Sequence, residues 1–131
     1  MRHLDTCIVI AYLNGNQTTA DKLKLYLPDV AISSLVMGEL LYGAKASNRS
    51  EENLEKLNQF FRIVEIMNFD RKSAEVYSKI RLSLRQKGRP TGETDLLIAA
   101  AALANQAILV TDNTRHFEHI DNLTLENWLR E

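Results

Sequence analysis

The stretch Thr91–Phe117, TGETDLLIAAAALANQAILVTDNTRHF, limits the fold more than any other part of the chain. Pro90 restricts the backbone of Arg89, and Thr91 after it is a candidate N-cap. Leu96, Leu97, Ile98 and the alanines beyond them are strong helix formers. Asn105 and Gln106 end that helix. A short all-apolar run follows, Ala107–Val110, and stops at Thr111, Asp112 and Asn113. Such a run predicts a strand covered on both faces, as in a parallel sheet. On the helix, Ile98, Ala99 and Ala102 lie three, four and seven positions beyond Asp95, so an acid heads a buried stripe. A second acid, Asp112, stands where the strand leaves the sheet. Open parallel sheets hold their ligands outside that end of their strands.

The rest of the chain alternates in the same way. Arg2–Asp5 is a short strand with Asp5 at its end, and an apolar turn or helix follows, ending at Asn14 and Gly15. A helix over 18–27 puts Ala20, Leu23 and Leu27 on one side and breaks at Pro28. Val30–Ile32 is a second strand, and Ser33 or Ser34 caps the helix after it. From Ser50, Leu54, Leu57, Phe60 and Phe61 form an inward face. Ile63–Ile66 is a third strand candidate. Asp70 caps a long helix through Lys87, with Ala74, Tyr77, Ile80, Arg81 and Leu84 spaced for one face, and Gly88 closes it. Leu123–Leu125 is an edge-strand candidate, and Trp128 and Leu129 pack the C-terminal segment. Alternation with short connections predicts an α/β fold of three layers, α/β/α, around a mostly parallel sheet. The 131 residues, without repeat or linker, suit a single domain over 1–131.

The totals exclude several function classes. A net charge of −1 provides no global basic field for nucleic acid, so such a site must be a local patch or work through metal ions. Cys7 is the only cysteine, which rules out an internal disulfide and points to a reducing cytoplasm. No apolar run reaches the roughly 20 residues of a membrane span. The segment CIVIAYL is too short, and preceded by an acid, to serve as a signal-peptide core.

Taken singly, the acids have plain explanations. Asp5 caps a helix from Thr6 onward, Asp112 is a turn acid, and Asp95 and Glu93 complement the positive end of their helix. Glu39 shares a stripe with Leu35, Val36, Tyr42 and Gly43, where a glutamate is rarely buried without a partner; its plain explanation is a side chain at the stripe's edge that extends to water. Jointly they suggest more. Asp5 and Asp112 end strands, Asp95 opens the helix leading into the second of these, and Glu39 lies in the helix after strand two. A doubly wound sheet can bring such positions to one edge. Clustered carboxylates repel, and a hard divalent cation such as Mg²⁺ or Mn²⁺ removes the conflict. Few histidines and one cysteine argue against zinc. His116 and His119 are expected to be solvent-facing loop residues.

Four segments carry a resemblance: LDTCI at 4–8, SSLVMGELLYGA at 33–44, GxxDxLIAA at 92–100 and LVTDNTRHF at 109–117. In this order and spacing, the chain resembles PIN-domain ribonucleases, specifically the VapC-type toxins of bacterial toxin–antitoxin pairs. The resemblance implies a metal site of Asp5, Glu39, Asp95 and Asp112, with Thr111 holding a water or the loop and Thr6, Asn113 and Glu93 in support. It implies a Mg²⁺- or Mn²⁺-dependent endoribonuclease, with transfer or ribosomal RNA as substrate. It also implies a small cognate VapB-type antitoxin and a toxin homodimer. Two positions depart from the pattern. Position 7, commonly Asn in this family, is Cys7, whose thiol is a weak donor. Position 113, where some members place the last acid, is Asn113, so Asp112 is preferred as the fourth ligand. One ion or two, about 3.5–4 Å apart, would act on the phosphodiester, and the sequence leaves that choice open.

RNA needs cations nearby. Arg81, Arg85, Lys87 and Arg89 run toward the Gly92–Asp95 corner, and Arg115 follows Asp112; Arg85, Arg89 and Arg115 are the phosphate-contact candidates. The alternative to an enzyme is a catalytically inactive PIN-like module that binds RNA or protein. A receiver-like signalling module fits less well. It requires an aspartate directly after strand three, whereas Asp70 lies four residues past Ile66, and no lysine follows Leu125.

Overall fold

The computed structural model describes residues 1–89 and 91–130. Pro90 lies outside them, and with it the expected restraint on Arg89. The elements run β1 (Arg2–Leu4), α1 (Thr6–Leu13), α2 (Gln17–Tyr26), β2 (Val30–Ser33), α3 (Ser34–Lys45), α4 (Ser50–Phe61), β3 (Glu65–Met67), α5 (Arg71–Gln86), α6 (Glu93–Ala104), β4 (Ile108–Val110), α7 (Thr114–Phe117) and β5 (Leu125–Glu126).

The five strands form one sheet in the order β3-β2-β1-β4-β5. Every pairing is parallel, so the sheet is wholly rather than mostly parallel. All four residues of β2 are buried, and so are the successive residues His3 and Leu4 of β1. Neighbouring strand residues face opposite ways, so both faces of the sheet are covered and the fold is a three-layer α/β/α arrangement. The chain builds outward from β1 to β3, then returns to place β4 on the other side of β1. That reversal is a topological switch point, and the crevice at the strands' carboxyl ends lies between β1 and β4.

Local chemistry fixes most boundaries. Ser33 caps α3 through Val36 N–H, Asp70 caps α5 through Ser73 N–H, and Gly88 follows α5 with φ +66°. In α6, Leu96, Ile98, Ala99, Ala100, Ala101, Ala102 and Ala104 are all buried, so the helix is enclosed nearly all round.

Several expectations shift. The residue capping α6 is Gly92, not Thr91, and no side chain bonds there; the Thr91 hydroxyl faces the His116 carbonyl at 3.5 Å instead. The third strand starts at Glu65, because Ile63 N–H is used in the turn closing α4 onto the Phe60 carbonyl. The edge strand is Leu125–Glu126, two residues paired parallel to β4. On α5 the inward face is Ser73, Tyr77, Ile80 and Leu84, while Ala74 and Arg81 are exposed. The loop after β4 contains the one-turn helix α7, anchored by the fully buried Phe117. Among the described residues no helix is long and apolar enough to cross a membrane.

His3 sits in the central strand with its Nε2 buried and without a partner among the described residues. Burial pulls its imidazole from 6.5 down to about 4. The folded chain therefore keeps it neutral, whereas the unfolded chain takes up a proton below 6.5. Protons then favour unfolding, and stability declines as pH falls from 6.5 toward about 4, by at most ~1.4 kcal/mol per pH unit. Urea unfolding across this window should show the decline, and His3→Leu should flatten it; an unchanged slope would mean that other groups cause it.

Candidate active site

The backbone of β1 and β4 sets the first contact. Leu4 pairs with Val110, and Asp5 N–H donates to the Val110 carbonyl at 2.9 Å. Asp5 and Thr111, the next residue of each strand, are therefore neighbours. Both are buried, at 4% and 0% exposure. Asp5 is also the N-cap of α1: Oδ1 accepts from Thr6 N–H at 2.8 Å, and Oδ2 accepts from the Thr111 hydroxyl at 2.8 Å. Thr111 Oγ1 in turn accepts from Asn113 N–H at 3.0 Å, so it fixes both the carboxylate and the loop.

The Thr6 hydroxyl donates to Glu39 Oε1 at 2.6 Å, which brings α3 to the same edge. Asp95, in the first turn of α6, is partly buried and bonds through Oδ2 to His116 Nδ1 at 2.9 Å. Burial is the main cause pushing the Asp5 carboxyl up from its ordinary value. The Thr111 and Thr6 hydrogen bonds oppose it, while the negative charges of Asp95 and Glu39 add to the upward push. The charges of two acids distant in sequence thus reach Asp5 at the carboxyl ends of β1 and β4.

Asp112 is set apart from this group. Its Oδ1 accepts from Asn127 Nδ2 at 2.9 Å and lies 3.0 Å from Arg130 Nε, so it faces the C-terminal segment. Its charge acts on Cys7, whose Sγ accepts from Asp112 N–H at 3.5 Å. That thiol is 3.9 Å from both Asp5 Oδ2 and Thr111 Oγ1, and burial pushes its pKa up. Asn113 is exposed, and its backbone rather than its side chain reaches the site. Glu93 turns away toward Tyr77 and Arg81 of α5. Arg85, Arg89 and Arg115 are exposed.

His116 faces solvent, as expected, and in addition bonds to a site acid. The spacing after Asp112 did not reveal this, because α7 turns the ring back toward Asp95. The buried Phe117 beside it is the one sequence signal that the loop folds inward.

Among the described residues, no three Asp, Glu, His or Cys side chains are arranged to enclose a cation. Each acid is instead held by a protein donor: Asp5 by Thr111, Glu39 by Thr6, Asp95 by His116 and Asp112 by Asn127. The oxygen-only carboxylates and the repulsion felt at Asp5 still fit a hard divalent cation, with Mg²⁺ and Mn²⁺ the natural choices.

The PIN-domain family model matches residues 3–123. The chain belongs to the PIN-domain family. This PIN domain is 41% identical over 128 residues to ribonuclease VapC2 of Rickettsia felis, covering 95% of this chain and 96% of that one. It is 35% identical over 126 residues to the tRNA(fMet)-specific endonuclease VapC of Shigella flexneri, covering 95% and 96%. In three dimensions it matches the VapBC2 structure of Rickettsia felis, bound to a promoter DNA fragment, with a TM-score of 0.92 at 40% identity. That match covers 97% of this chain and 98% of the other. A DNA-bound VapBC structure from Salmonella typhimurium gives 0.93 at 32% identity over 97% of both chains. The chain is a VapC-type PIN domain.

Thr111→Val removes the hydroxyl that holds Asp5 and leaves a buried carboxylate without that donor. The expected cost is roughly 1.5–3 kcal/mol in urea denaturation at neutral pH. A loss below ~0.5 kcal/mol would show that Asp5 does not depend on this bond.

Proposed function

We propose that this chain is the toxin of a VapBC-type toxin–antitoxin pair, a Mg²⁺- or Mn²⁺-dependent endoribonuclease acting on transfer RNA, with ribosomal RNA the alternative substrate. One observation carries the reading. Asp5, Glu39 and Asp95 come from three separate elements, and the charges of the latter two act on the buried Asp5 at the sheet's switch point. The α1 cap accounts for Asp5 alone, whereas the exposed Glu39 and half-buried Asp95 add a repulsion there that a cation for phosphodiester chemistry would relieve. The names of the relatives support the reading.

Asp5, Glu39, Asp95 and Asp112 would hold the cation, the last after release from Asn127 and Arg130. When bound, the ion supplies charge stabilisation at the phosphate and a lowered pKa for water. The chain's own side chains prepare the site. Thr111 and the Thr6 backbone pin both Asp5 oxygens, so that carboxylate keeps its orientation. Thr6 holds Glu39 by Oε1, which leaves Oε2 to take a proton from water. His116 orients Asp95 from behind. Arg85, Arg89 and Arg115 would bind phosphates along the RNA.

The catalytically inactive alternative rests on Cys7, which reaches the Asp5 and Thr111 side chains only at 3.9 Å where an amide is common in the family. Asp5→Asn separates the two readings. Asn keeps the helix cap, and removing a buried charge whose pKa is raised should leave stability at neutral pH equal or higher. Cleavage of a folded transfer RNA with Mg²⁺ or Mn²⁺ should fall by about a hundredfold or more. EDTA should abolish cleavage in the wild type. Cleavage that survives both treatments overturns the mechanism, and wild-type protein inert on RNA favours the binding module.

The same acids provide a route to inhibition, because an antitoxin Arg or Lys can pair with them in place of the cation. Co-expression with the small protein encoded beside it should yield a stable complex containing a toxin homodimer by light scattering. A toxin that elutes alone, as a monomer, would count against both the partner and the dimer.

A further inference from the structure

We propose that the cleft between the C-terminal half of α5 and the first turn of α6 is a nucleotide subsite, which takes one unstacked base of the RNA beside the bond that is cut. The inference rests on the ribonuclease reading and names a part of the substrate that the acids do not touch.

The cleft has a volume of about 450 Å³, within the range of roughly 300–1,000 Å³ typical of small-ligand sites. Its lining includes Leu84 and Leu96, exposed at only 3% and 4%, so the floor is apolar. Tyr77, Arg81, Arg85 and Glu93 supply the polar part of the wall. These groups are organised before any ligand arrives. The Tyr77 hydroxyl donates to Glu93 Oε1 at 3.0 Å and accepts from Arg81 Nη1 at 2.6 Å, and Arg81 lies 3.6 Å from the same Glu93 oxygen. The ring of Tyr77 is thereby fixed in orientation, which lowers the ordering cost of binding.

The composition selects a nucleotide over a bare anion. A free phosphate would meet Glu93 as well as the arginines, and the carboxylate opposes it. A nucleotide uses every group. Its flat base lies against Tyr77 and the leucines, its N–H edge donates to Glu93, and its phosphate meets Arg85. Position supports this assignment. Glu93 and Asp95 are two residues apart in one helical turn, about 3 Å along the axis, with Glu93 directed to α5 and Asp95 to α7. The cleft and the acids thus lie on different sides of one helical turn, and an RNA strand crossing that turn reaches both, so the base in the cleft belongs to a nucleotide near the one at the acids. A carboxylate only accepts hydrogen bonds. It favours guanine, whose N1–H and exocyclic amino group donate side by side to one carboxylate, over uracil, cytosine and adenine, whose edges set a single donor among acceptors.

Sequencing the cleavage products of a randomised single-stranded RNA pool and of a folded transfer RNA transcript tests the subsite, in Mg²⁺ and in Mn²⁺. The wild type should favour guanine at one fixed position near the cut. Glu93→Gln, whose amide keeps only one acceptor oxygen, should lose that guanine preference, a change on the order of tenfold. Tyr77→Ala should raise KM about tenfold with a smaller effect on kcat. If that variant does not fold, Tyr77→Phe keeps the ring but releases Glu93, and should change the base ranking alone. Calorimetric Mn²⁺ affinity should be unchanged in all variants, which excludes damage to the acids. Variants that cut with the wild-type base profile and KM overturn the subsite while leaving the ribonuclease reading intact. A KM that rises equally for all bases, with no re-ranking by Glu93→Gln, overturns base reading. A wild type that cuts neither RNA with either ion overturns the ribonuclease reading and the subsite together.

Discussion

The parallel pairing of β1 with β4, Leu4 opposite Val110, decides where every acid of the site can stand. It ends the two central strands side by side, and it does so where the strand order reverses. The next residue of one strand is Asp5, and that of the other is Thr111. Their 2.8 Å hydrogen bond follows directly from the register. A shift of one residue would turn these side chains to opposite faces of the sheet. Glu39 is then brought in by α3, the helix after β2, and Asp95 by α6, the helix that leads into β4.

That arrangement creates an electrostatic conflict that the fold contains without removing. Asp5 is buried, and two further carboxylates raise the free energy of its charged form. The Thr111 hydroxyl and the Thr6 backbone N–H offset part of this with hydrogen bonds, yet burial remains the larger effect. His116 and Asn127 hold Asp95 and Asp112 in a similar way, each with one short contact. Local tension of this kind is common where a protein retains groups for chemistry at some cost to stability. The enclosed sheet and the alanine-rich α6 supply the packing that tolerates it.

Much of this was legible in the residues. The Ala107–Val110 run, the caps at Ser33 and Asp70 and the stop at Gly88 located elements to within a few positions, because they depend on nearby residues alone. The placement of Asp5, Glu39 and Asp95 on one edge followed from strand–helix alternation and the rule for parallel sheets. Less was legible where a distant partner decides. On α5, Tyr77, Ile80 and Leu84 face inward as expected, but Ser73 takes the place of Ala74, drawn in by the Asp70 cap, and Arg81 turns outward to Tyr77. The orientation of Asp112 depends on Asn127 and Arg130, far along the chain, and that of His116 on a one-turn helix anchored by Phe117.

The sequence by itself determined that the chain is a parallel α/β protein and that acids stand at strand ends and helix starts, since periodicity, capping and turn chemistry are properties of a few adjacent residues. Only the tertiary structure decided which acids face one another, because a side chain's direction at a strand end is set by register and by donors brought from other elements. Thus Asp5, Glu39 and Asp95 share a field, Asp112 is drawn toward the C-terminal segment, and a loop histidine becomes part of the site.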